Sequence, residues 1–171
     1  MPQPPVPPPT AKRSTVRRLP AAADHWLALD QQLCFALYAA SLAMTKAYKP
    51  LLAPLGLTYP QYLVMLVLWE GDGISVSTLG ERLTLDSGTL TPLLKRLALL
   101  GLLLRQRDTA DERRVLLQLS PAGRQLKRQA QAIPQAVACA TAWDLQQIQR
   151  LSAQLTTLRQ QLNTTLSKAA G

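Results

Sequence analysis

The chain has 171 residues and carries 19 Lys and Arg against 10 Asp and Glu, a formal net charge of +9 that suits a polyanionic partner. Its 47% apolar content is enough for one packed domain, and no run of ~18 apolar residues is present to span a bilayer. A single histidine, His25, with two cysteines and no CxxC spacing argues against a zinc site or a Ser–His–Asp triad, and no glycine-rich phosphate loop is present.

Residues 1–23, MPQPPVPPPTAKRSTVRRLPAAA, are dense in proline, and Lys12, Arg13, Arg17 and Arg18 are their only charges. Such a stretch buries too little apolar area to fold, so a disordered basic tail is expected. Proline stands where a signal peptide needs an apolar core. The expected compartment is therefore the cytoplasm, with the cysteines as thiols, no cofactor and no membrane partner.

From Trp26 to Lys49 the spacing becomes helical, with Leu29, Leu33, Leu37, Ala40, Met44 and Ala47 at three- and four-residue steps, and Pro50 is expected to end the helix. Thr58 and Gln61 form a capping-box pair with Pro60 in the first turn, and that helix stops at Gly71-Asp72-Gly73. A short helix, VSTLGERL, follows the N-cap Ser75; Thr84-Leu85 is a tight link; Asp86 caps SGTLTPLLKRLALLG, which ends at Gly101. Pro92 falls beyond the first turn, so a kink or an irregular start is expected there. Two apolar strands, LLLRQR and RRVLLQL, flank the polar turn DTADE. One helix is predicted from Ser120 or Pro121 through Ala138. The last begins at a Thr141/Asp144 capping pair and carries a stripe of Leu145, Ile148, Leu151, Leu155, Leu158, Leu162 and Leu166.

Helix, turn, helix and basic hairpin together are the pattern of a winged helix-turn-helix over about Ser75–Leu119. A helix entering the major groove exposes short polar side chains near its N-terminus. Ser87, Thr89 and Thr91 are placed to meet base edges, with Leu90, Leu93, Leu94 and Leu97 inward and Lys95 and Arg96 suited to phosphates. Arg105 and Arg107 lie on one strand, and Arg113 and Arg114 lie at the wing tip, where arginine reads a narrow minor groove. Asp111 is expected to hold Arg113 in a guanidinium fork. The extra first and last helices need cover, which a homodimer supplies. Its recognition helices would lie about 34 Å apart on a pseudo-palindromic double-stranded DNA operator.

Cys34 lies in LDQQLCFALYAASLAMTKAY, with Tyr38 one turn on. By residue physics alone a cysteine in an apolar helix is core, and so is Cys139 in AVACATA. The stretches LCFALY, MTKAYKPLL, LGLTYPQYLVMLVLWE, LDSGTLTPLLKRL and DERRVLLQLSPAG resemble the organic-hydroperoxide-sensing repressors of the MarR family, OhrR type, from about residue 29 onward.

That resemblance implies a mainly α-helical winged-helix dimer. The domain would cover 24–171, with dimerisation helices at about 26–49 and 121–167 and a DNA-binding lobe at about 58–119. Cys34 would be the peroxidatic cysteine and Cys139 the resolving cysteine of the two-cysteine subgroup, reaching from the other subunit. Tyr48 and Tyr59 would hydrogen-bond the sulfur, with Tyr38 a third tyrosine nearby. Organic hydroperoxide would be the oxidant signal: thiolate attack gives a sulfenic acid, which a second thiol condenses to a disulfide. Leu42 stands where the family has a basic residue, LALLGLLLRQR is more apolar than usual, and the tail is longer. Three readings compete: a MarR-type regulator of phenolic or drug-like ligands with inert cysteines, a two-cysteine thiol peroxidase, and a dimeric interaction module. The basic wing favours a regulator over an enzyme.

Overall fold

The computed structural model describes residues 27–109, 111 and 113–169. The expected tail, His25 and Trp26 lie outside the described residues. The chain divides into two units, one ending at Leu42 and one beginning at Ala43.

The described part of the first unit is a 3-10 turn, Leu29–Gln31, and the start of helix α1, Leu33–Leu52. The helix does not begin at Trp26's side of Leu29 as expected, because Gln32 is extended (φ −86°, ψ 112°) and breaks the periodic run. Nor does Pro50 end it. The ring lies inside the final turn, α1 closes two residues later at Leu52, and the chain passes into a second 3-10 turn, Ala53–Leu55.

The second unit holds α2 (Tyr59–Glu70), β1 (Ile74–Ser75), α3 (Val76–Leu83), α4 (Ser87–Leu99), β2 (Leu103–Arg107), β3 (Val115–Leu119), α5 (Pro121–Ala130), α6 (Ile133–Thr141) and α7 (Leu145–Ala169). Local capping chemistry sets these limits. The Thr58 N–H donates to Gln61 Oε1 at 2.9 Å, Ser75 Oγ accepts from the Thr78 N–H at 3.1 Å, and Asp86 Oδ1 accepts from the Thr89 N–H at 2.9 Å. After α4 the chain reverses in a Schellman closure, with Leu102 N–H on the Leu97 carbonyl and Gly101 N–H on that of Ala98. Gly101 takes φ 71°, which a side chain would resist. Pro92 sits within α4, which runs through it; the ring has no N–H to give the Gly88 carbonyl.

The strands form one antiparallel sheet in the order β1-β3-β2, with Arg105 opposite Leu117 and Arg107 opposite Val115. β1 adds an edge strand to the expected hairpin, pairing Ile74 with Leu117. Two residues are too few to show an alternating pattern in sequence. The core joins Leu52, Tyr62, Met65 and Leu68 to Leu79, Leu90, Leu94, Leu97, Leu103 and Leu117, all almost fully buried. Each such side chain contributes about 1.5–3 kcal/mol relative to exposure. Leu90, Leu94 and Leu97 recur at four and three residues, and this apolar face seats α4 with its opposite side outward.

Two C-terminal expectations are corrected. The single helix to Ala138 is divided at Gln131–Ala132, because Pro134 cannot donate to the Ala130 carbonyl and its ring crowds that group; Pro134 instead falls in the first turn of α6. The cap of α7 is Asp144 with Gln147, not Thr141 with Asp144. Asp144 N–H donates to Gln147 Oε1 (3.0 Å) and Gln147 N–H to Asp144 Oδ1 (2.7 Å). Thr141 closes α6 by donating its hydroxyl to the Ala138 carbonyl. No single described helix is long and apolar enough to cross a membrane.

Candidate nucleic-acid interface and sensor residues

Ser87 is the first residue of α4 and is exposed, with Thr89 beside it and Thr91 half-buried. Two of the three hydroxyls already donate within the helix start: Thr89 Oγ1 to Asp86 Oδ2 at 2.8 Å and Thr91 Oγ1 to the Ser87 carbonyl at 2.7 Å. Their lone pairs remain open as acceptors, while Ser87 keeps both its donor and its acceptors. Lys95 and Arg96 project from the exposed side further along. Between Leu83 and Arg107 the sole acidic residue is Asp86. The Thr89 backbone N–H, then its hydroxyl, hold that carboxyl below its ordinary range. The carboxylate is thus fixed as a cap, and the rest of the α4 surface is positive or neutral.

On the wing, Arg105, Arg107, Arg113 and Arg114 are all exposed. The expected Asp111–Arg113 fork is not what the turn uses. Asp111 Oδ1 accepts from the Arg113 backbone N–H at 3.0 Å, and the Arg114 N–H donates to the Asp111 carbonyl at 2.9 Å. A carboxylate two residues upstream reaches the main chain more easily than a long guanidinium, and it folds the turn as an Asx motif. The described ion pair at the tip is Arg114 with Asp108, at 3.8 Å.

The wing is tied to the body by residues that carry no local motif. Asp72, noted only as part of a helix stop, accepts from the Leu119 N–H at 2.9 Å and from Arg124 Nη2 at 2.8 Å. The Leu119 N–H, chiefly, and Arg124 hold its carboxyl below the ordinary value. Trp69 Nε1 donates to the Gly123 carbonyl at 2.9 Å, and Lys127 Nζ to the Trp69 carbonyl at 2.7 Å.

Cys34 is a free, exposed thiol near the start of α1, and Tyr38, one helical turn further, is 62% exposed. Cys139, in the last turn of α6, is also free and exposed. In the second unit Tyr48 and Tyr59 meet with ring centroids 4.7 Å apart, and Tyr62 stands 5.8 Å from Tyr48. Tyr62 was not anticipated, although its three-residue spacing from Tyr59 puts both on one helical face. Burial raises the pKa of all three phenols above the ordinary value, the neighbouring rings adding to the effect at Tyr48 and Tyr62. All three are neutral hydrogen-bond donors at physiological pH. Among the described residues no cluster of His, Cys, Asp and Glu is arranged to hold a metal ion.

The family model for the transcriptional regulators SarA/Rot matches residues 46–130. The chain is 51% identical over 135 residues to the HTH-type transcriptional regulator TtmR of Methylorubrum extorquens, covering 79% of this chain and 69% of TtmR. It is 47% identical over 140 residues to the organic hydroperoxide resistance transcriptional regulator of Bacillus subtilis, covering 82% of this chain and 95% of that protein. Among solved structures, reduced AbfR bound to DNA, a Staphylococcus epidermidis protein, superimposes with a TM-score of 0.72 at 31% identity, covering 84% of this chain and 99% of AbfR. The disulfide-formed state of AbfR gives 0.55 at 31% identity, over 85% and 97% of the two chains. These relatives are regulators, not enzymes. On that likeness of sequence and of fold, the chain belongs to the MarR-type winged-helix transcriptional regulators, in the branch that includes the organic hydroperoxide resistance regulator.

Proposed function

We propose that the protein is a redox-sensing repressor of the cytoplasm that holds a pseudo-palindromic operator as a reduced homodimer and lets go when an organic hydroperoxide oxidises Cys34. The observation that carries the redox half is the free, exposed Cys34 thiol. The regulator relatives and the reduced, DNA-bound state of AbfR support the DNA half. A surface of Ser87, Thr89, Thr91, Lys95, Arg96, Arg113 and Arg114 suits the groove and the phosphates. Asp111 shapes the tip that carries the two arginines. Exposed leucines on α1 (Leu33, Leu37) and α7 (Leu145, Leu155, Leu162) suit burial against a second copy.

In the oxidation step the Cys34 thiolate attacks the peroxide oxygen. An S–O bond forms, the O–O bond breaks, and the alkoxide leaves as the alcohol after taking a proton. The Cys139 thiol of the other subunit then attacks the sulfenic sulfur, forming the S–S bond and releasing water. The disulfide-formed state of AbfR supports this second step. Neutral phenols are the donors a thiolate needs, which fits the role proposed for Tyr48 and Tyr59, with Tyr38 beside the thiol on its own helix.

A gel shift against the protein's own upstream region, with and without cumene hydroperoxide, tests the reading. Wild type is expected to release the DNA on oxidation and Cys34→Ser to stay bound. A Cys34→Ser protein that still lets go removes Cys34 as the sensor.

A further inference from the structure

Helix α7 is 25 residues long, none of its residues 145–168 is buried, and it contains no acidic residue. Among the described residues its only side-chain hydrogen bond beyond its own cap and its own turns runs from Arg159 Nη1 to Thr84 Oγ1, at 3.2 Å. Thr84 opens the link between α3 and α4, three residues before Ser87. Its backbone is left-handed (φ 57°, ψ 42°), an unfavourable conformation for a β-branched residue. Glycine or asparagine would hold that conformation with less strain but would offer no hydroxyl at that place to Arg159. The turn itself is closed by the Thr84 N–H on the Glu81 carbonyl and the Leu85 N–H on that of Gly80.

We propose that Arg159 is a positioning residue for operator recognition. Its bond to Thr84 fixes the turn ahead of α4 against the C-terminal helix, and so sets which half-site spacing the dimer prefers. The inference rests on the DNA-binding reading above and adds to it a determinant of spacing outside the groove. Since α7 offers its leucines to the second copy, an anchor between α7 and the α3–α4 link passes the geometry of the dimer to the N-terminus of the reading helix. Arg159 acts through Thr84 and needs no contact with a base.

The test uses the full chain as a dimer and three duplexes: the pseudo-palindrome footprinted upstream of its own gene, the same site with one base pair added or removed at its centre, and a single half-site. Arg159→Ala and Thr84→Val are each expected to weaken the native site about threefold to tenfold, the worth of one exposed, charge-assisted hydrogen bond. Both should leave the half-site unchanged and blunt the preference for native spacing. The double variant should be no weaker than either single one, and Thr84→Ser, which keeps the hydroxyl, should behave as wild type. Without DNA, amide exchange at Thr84 and Leu85 should quicken in Arg159→Ala. Wild-type affinity, spacing preference and exchange in Arg159→Ala overturn the inference. So does an equal loss on every duplex with the salt slope reduced by about 0.9, the signature of a lost phosphate contact. A wild-type protein that binds none of the duplexes overturns the DNA-binding reading instead, while the exchange measurement still decides the link between Arg159 and Thr84.

Discussion

A Cβ placed on Gly123 would stand 2.0 Å from the carbonyl oxygen of Leu102. That carbonyl also accepts the Ser120 N–H at 3.1 Å, and the Gly123 carbonyl receives Trp69 Nε1. The first turn of α5 therefore lies directly on the backbone that enters the wing.

Gly123→Ala is expected to destabilise the fold by about 2–4 kcal/mol, since backbone and not a flexible side chain must move. Urea denaturation followed by circular dichroism measures it. A loss under ~0.5 kcal/mol would mean that the close approach does not exist in solution.

Asp72 gives the wing anchor a pH dependence. Its folded carboxyl lies below the ordinary value, so its contribution is fully present above the usual carboxylate range and is lost as pH falls through the folded value, below about pH 4. Asp72→Asn should cost about 1 kcal/mol at pH 7, as its side chain is 28% exposed and its bonds are partly screened. The gap between wild type and variant should narrow in thermal melts as pH falls below the usual carboxylate range. A gap that stays constant with pH would assign the loss to shape and not to charge.

Tyr48→Phe and Tyr59→Phe keep the packed rings and remove one donor each. If those phenols support the thiolate, sulfenic acid formation at Cys34 slows by about tenfold per donor, the worth of one hydrogen bond to a charged group, with little change in melting temperature. Trapping the sulfenic acid with a dimedone probe against time reads the rate. Unchanged rates in both variants would leave the tyrosine cluster as packing alone.

Cys139→Ser separates the two oxidation steps. After cumene hydroperoxide the wild type should run as a covalent dimer on a non-reducing gel, while Cys139→Ser runs as a monomer that retains a dimedone-reactive Cys34. A covalent dimer that forms without Cys139 would rule out its role as the resolving thiol.

Much of the DNA-reading half was legible because its signals are local. Thr58 with Gln61, Ser75, Asp86 and Gly101 each act within a few residues, so a cap or a stop seen in sequence is the one the backbone uses. Errors arose where two local signals compete or where the partner is distant. Thr141 and Asp144 both resemble a cap, but Thr141 turns back onto Ala138 and leaves the role to Asp144 with Gln147. Asp111 takes the main-chain N–H two residues on, where the sequence suggests a guanidinium partner. Asp72 meets Leu119 and Arg124 about fifty positions away, and no periodicity announces that. The chemistry of Cys34 was not legible from its surroundings at all, since a thiol among leucines and alanines reads as core. Its proposed role came from the resemblance of whole motifs.

The leucines left bare along α7 have a genetic consequence. With that helix covered by a second copy, as proposed above, subunits exchange partners whenever dimers part, so two alleles in one cell yield mixed pairs. A subunit unable to sense peroxide would then sit beside a competent one on the same operator. Loss-of-sensing alleles should accordingly act in trans and keep target genes silent even where a functional copy is present, whereas alleles that abolish folding should be recessive.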